Sequence, residues 1–88
     1  MCTNIFGKAP VSGSAKGPNG WFTLHEVHLG YDHPFRAPLE HAISIDFVDN
    51  TNRHRVAVEL TPESARELAT HILHTLEQAE AYERAATA

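Results

Sequence analysis

The stretch TPESARELATHILHTLEQAEAY, beginning at Thr61, is the clearest element of the chain and constrains the rest of the fold. Thr61 is a good N-cap, Pro62 suits the first helical position, and Glu63 sits favourably at the positive end of the helix dipole. Ala65, Leu68, Ala69, Ile72, Leu76 and Ala79 fall on one stripe at helical spacing, with His71 and His74 on the opposite face. The spacing predicts a helix from Pro62 to about Arg84. A lone amphipathic helix must bury its stripe against something else, and the residues before it supply a sheet.

Those residues alternate with period two. Thr3, Ile5, Gly7, Ala9, Val11, Gly13 and Ala15 are small or apolar, while the even positions between them are mostly polar. Pro10 cannot donate to a ladder, so this strand belongs at an edge or contains a break. GPNG at 17–20 reads as a turn. WFTLHEVHLGY follows as a second strand with Trp21, Thr23, His25, Val27, Leu29 and Tyr31 inward, and Phe22 and Leu24 break the alternation as a bulge near His25 or a second buried face would. HAISIDFVD and RVAVEL give two more strands, and every connection is short enough for a hairpin. The expected fold is α+β: a four-stranded antiparallel meander with one C-terminal helix packed on the sheet (ββββα), as a single domain over residues 1–88.

Composition narrows the classes of function. The chain has 88 residues, seven Lys+Arg against eleven Asp+Glu, and a formal net charge of −4, which argues against nucleic acid or an anionic membrane as partner. One cysteine excludes an internal disulfide framework and fits a reducing compartment. There is no signal-peptide pattern and no apolar run near the roughly 20 residues of a membrane span, so a cytoplasmic protein is expected. A chain of this length buries only about 60–65% of its unfolded surface, so self-association would help. A helix of roughly 34 Å also overhangs strands of about 20–27 Å. A homodimer is expected.

Seven histidines are the compositional oddity, and two of them flank the segment YDHPFRAPLEH at 31–41. Pairing Lys16 with Trp21 across the turn carries Phe6 to Tyr31 and Asn4 to His33, and brings Cys2 beside the loop that starts at Asp32. His33 leaves the second strand and His41 enters the third, at the end of the sheet where the helix begins. Pro34 and Pro38 stiffen the loop between them. His33 and His41 are the candidate metal ligands, with Asp32, Glu40 or Cys2 completing a shell for zinc, iron or nickel. Cys2 is a candidate nucleophile, Tyr31 a candidate acid or ligand-orienting group, and Arg36 a contact for an anionic substrate group. The plainer alternatives are solvated loop histidines and a small packed cysteine. His25 reads as a hydrogen-bonded core residue, and His28 and His54 as surface residues.

MCT, GWF, YDHP, EHAISIDFV and RVAVELTPESARELA together resemble a family of small bacterial proteins of unknown function. The resemblance spans nearly the whole chain and implies a complete protein; it transfers no site residue and no chemistry. Two functional readings stand: a small-molecule or metal-binding protein, or small enzyme, using a Cys/His/carboxylate pocket at one end of the sheet, or a non-catalytic interaction or assembly subunit with no metal.

Overall fold

The structure, a computed structural model, describes residues 3–51 and 53–87. Strands β1 (Ile5–Gly17), β2 (Gly20–Asp32), β3 (Ala42–Val48) and β4 (Arg55–Leu60) form one sheet, and helix α1 (Pro62–Thr87) follows. The strands lie in the order β1-β2-β3-β4 and every pair is antiparallel, so the expected ββββα meander is present. The β1–β2 turn closes with Gly20 at φ +112°, a conformation that residues with a Cβ rarely adopt.

Register separates the two faces cleanly. Ile5, Tyr31, Ile43 and Leu60 form one row across all four strands. Gly7, Leu29, Ile45 and Val58 form the next, and Ala9, Val27, Phe47 and Val56 the third. The opposite face carries Lys8, His28, Asp46 and Ala57 in one row, and Pro10, Glu26, Val48 and Arg55 in another. There the His28 ring bonds the Glu26 carboxylate at 2.6 Å, and Arg55 pairs with Asp46 at 3.3 Å.

The apolar rows exist because β1 contains a bulge. Pro10 pairs with Glu26 but the next partners are Gly13 and Leu24, so Val11 and Ser12 together face His25. The turn pairing of Lys16 with Trp21 is as expected. Beyond the bulge the register moves by one residue, so Tyr31 meets Ile5 and not Phe6. A one-residue shift exchanges faces, and this one places Ile5, Gly7 and Ala9 beside the apolar residues of β2. His25 is exposed, against expectation. It lies opposite the bulge and beyond the end of β3, whose last partner on β2 is Glu26, so β3 does not flank it.

The reach of the helix also differs from expectation. α1 meets β3 and β4, Ala65 is its most covered residue at half-buried, and none of its residues is buried. The Thr61 hydroxyl accepts from the Ser64 amide at 3.0 Å, which is the predicted N-cap. From there the helix runs on with Leu68, Ile72 and Leu76 at 46%, 52% and 53% exposure. The apolar rows remain partly open in turn, with Ile5, Leu29 and Val58 exposed, and among the described residues the buried hydrophobic ones are Val27, Ala42 and Val48. Among the described residues no helix is long and apolar enough to cross a membrane.

Deleting Ser12 removes the extra residue of the bulge and forces β1 either to slip or to lose its pairing. The expected result is a loss of about 2 kcal/mol or more, a fall of roughly 8–16 °C in Tm at this chain length. An unchanged melting curve by circular dichroism would show that the bulge does not set the register.

Candidate functional site

The segment joining β2 to β3 must turn the chain with two prolines in it, and its amides need acceptors. A single carboxylate supplies them. Glu59, on the polar face of β4, accepts from the amides of Phe35 at 2.5 Å, Arg36 at 3.0 Å and Ala37 at 3.1 Å. The Leu39 amide bonds the Ala37 carbonyl at 2.8 Å, and the Asp32 carboxylate accepts from the His33 amide at 2.8 Å. At the sheet edge the Thr3 hydroxyl donates to the Tyr31 carbonyl and fastens the start of the chain to the end of β2.

With the loop held, three rings stack. His41 lies between Tyr31, at 5.1 Å between ring centres and 23° between planes, and His33, at 4.9 Å and 25°. Tyr31 and His33 are two residues apart along the chain leaving β2, and His41 returns just before β3. The row Tyr31–Ile43–Leu60 sets the start of α1 at the same end of the sheet.

The structure therefore brings together His33, His41 and Tyr31, as expected. Asp32 is nearby, but its carboxylate caps the His33 amide. Glu40 and Arg36 are exposed, and the Arg36 backbone helps to line a shallow hollow with Phe35, Ala37, Ala57 and Glu59. Cys2 lies outside the described residues. Among the described residues no group of three or more His, Cys, Asp or Glu side chains is placed to hold a metal ion. The separation of the histidine rings would suit a shared metal, since Zn–N bonds of about 2.1 Å put two imidazole centres roughly 5 Å apart. Their near-parallel planes do not, because imidazole lone pairs lie in the ring plane and converge only when the rings splay.

Two features escaped the sequence. Glu59 reads there as an ordinary outward strand residue, and only the unpaired amides of a Pro-containing loop hint that an acceptor is required. The other end of the sheet is organised in the same way, by Asp49. Its carboxylate accepts from the Thr51 amide and hydroxyl at 3.0 and 2.9 Å, the Arg53 amide at 3.1 Å, and meets the His54 ring at 2.8 Å. The His54 contact foremost, with the Thr51 and Arg53 bonds, holds the Asp49 carboxyl well below the usual carboxylate range.

Glu59 is held below its ordinary value of 4.5 by the Phe35 amide first, then by those of Arg36 and Ala37. A carboxyl whose folded pKa is depressed stabilises the fold fully above its unfolded value, and the contribution is lost as pH falls through the folded one. Protection of the Phe35, Arg36 and Ala37 amides from hydrogen exchange should therefore persist at neutral pH and be lost in acid, as pH falls below the ordinary value of 4.5 and through the lowered folded one. In Glu59→Ala it should be at least ~10-fold lower at neutral pH, in proportion to the lost closed state. Equal protection in the variant would show that the loop is held by something else.

No curated protein and no solved structure matches the chain. A family model described as a family of unknown function (DUF6295) matches residues 1–85. The chain belongs to that family.

Proposed function

We propose that the protein is a self-associating subunit, a homodimer in which α1 of each copy covers the apolar rows of the other. One observation carries this reading: a single chain exposes both halves of an interface, an apolar sheet face and an apolar helix stripe. Its surface is 7057 Å². A compact monomer of 9.7 kDa would expose about 5,100 Å², which leaves an excess of roughly 1,900 Å² per chain. Its radius of gyration is 15.7 Å, where about 12 Å is usual for a compact domain of this length. Two such excesses amount to about 3,900 Å², within the range of obligate dimer interfaces. A second copy is the occupant that matches, because each copy then satisfies the other's sheet and helix with one two-fold contact.

This reading places the protein among interaction or assembly subunits. Sedimentation at micromolar concentration should give twice the 9.7 kDa chain mass. Ile72→Asp together with Leu76→Asp should shift the protein toward monomer and lower its stability. A monomeric parent protein would overturn the proposal, and a dimer unaffected by the double substitution would remove α1 from the interface.

The apposition of His33 and His41 favours a second reading, a site for a divalent transition metal (zinc, iron or nickel) in which Tyr31 orients a ligand and Arg36 meets an anionic group. Ring splaying and a further donor are required for it. Elemental analysis of untagged protein should then find stoichiometric metal that is lost in the His33→Ala, His41→Ala double variant. Metal-free parent protein, or metal retained by the variant, would end this reading.

A further inference from the structure

Opposite the ring stack, at the other end of the sheet, the tip of the β1–β2 hairpin meets the β3–β4 connection and encloses a cavity of about 350 Å³. Its lining includes Trp21 and Phe22 from the hairpin and Arg53, His54 and Arg55 from the connection. The Phe22 ring lies on the His54 ring, with centres 5.4 Å apart and 31° between planes, so the two walls touch. Trp21 is 71% exposed.

The charge here runs against that of the chain. Overall, acidic residues outnumber Lys+Arg by eleven to seven, yet the cavity lining holds two arginines and a histidine and no carboxylate. Two of these side chains already have a carboxylate partner outside the cavity, Arg55 in Asp46 at 3.3 Å and His54 in Asp49 at 2.8 Å. Among the described residues no carboxylate pairs with the Arg53 side chain. The backbone that carries it is held, because the Arg53 amide is bonded to Asp49 at 3.1 Å. The cavity thus offers one guanidinium without a counter-charge beside aromatic side chains, in a volume at the lower end of small-molecule sites. A guanidinium presents a planar fork matched to carboxylate and phosphate oxygens, and aromatic walls add affinity for a flat ring.

We infer that this cavity binds a small aromatic oxyanion, a planar ring bearing a carboxylate or phosphate, with Arg53 holding the anionic group and Trp21 and Phe22 flanking the ring. The site lies past the last complete apolar row, Ala9–Val27–Phe47–Val56, so it stands apart from the surface assigned to the second copy.

Trp21 is the one tryptophan of the chain, so fluorescence excited beyond the tyrosine absorption band reports on this cavity. Titration with phenyl phosphate should give a saturable change with a Kd below about 1 mM. Inorganic phosphate, which lacks the ring, and benzyl alcohol, which lacks the charge, should each bind at least ~10-fold more weakly, a difference of about 1.4 kcal/mol. Arg53→Gln should weaken phenyl phosphate by a similar factor while leaving the melting curve unchanged, since the Arg53 side chain is exposed and unpaired with any described carboxylate. Failure to saturate by about 10 mM, equal binding of inorganic phosphate, or equal binding by a folded Arg53→Gln variant would each overturn the inference.

Discussion

Twelve side-chain positions in three rows cross the whole sheet on one face, and apart from two small residues and a tyrosine hydroxyl they offer only hydrocarbon. Such a face has to leave water, and the free energy available from doing so is the largest favourable term open to a chain this small. Part of it is unrealised within one copy. Ile5 remains 61% exposed and Leu29 41%, while the helix that carries the complementary stripe extends away with Ile72 and Leu76 half open. Each half-open aliphatic side chain forgoes about 1 kcal/mol of burial. The molecule measures 53 × 30 × 21 Å, an elongated form in which the helix stripe stays uncovered beyond its first turns.

Much of this architecture was readable in the residues. Period-two alternation located the four strands, the capped stripe located α1, and Pro10 marked an edge strand with a break. Phe22 and Leu24 signal a bulge in β2, but the extra residue belongs to β1, at Val11 and Ser12. Alternation reports which residues share a face, whereas only the partner strand reveals an inserted residue. The insertion accounts for Tyr31 meeting Ile5 and not Phe6; His25 has inward parity but lies beyond the end of β3, which parity does not report. The helix stripe was equally clear, but a stripe does not say which chain's sheet it meets.

The candidate site was readable to a similar depth. The approach of His33 to His41, with Tyr31 beside them, followed from hairpin geometry, and the ring stack bears it out. The roles of the carboxylates did not follow. Asp32 and Glu59 are occupied with backbone amides, and Asp49 does the same work at the far end. Each long connection in this sheet is shaped by one or two acceptors gathering several N–H donors, an arrangement that depends on three-dimensional placement and leaves no spacing motif. Once those bonds form, the two ends of the sheet become distinct surfaces, one of stacked imidazole and phenol rings and one of arginine beside indole.

The central claim is that one copy of the chain is not a finished fold. Its most direct test is the dependence of the thermal unfolding midpoint on protein concentration. If folding and dimerisation are coupled, raising the concentration 100-fold adds about 2.7 kcal/mol by mass action, and the midpoint should climb by several degrees. A midpoint that stays constant over that range, with cooperative unfolding throughout, would contradict the account and make the single chain a sufficient folding unit.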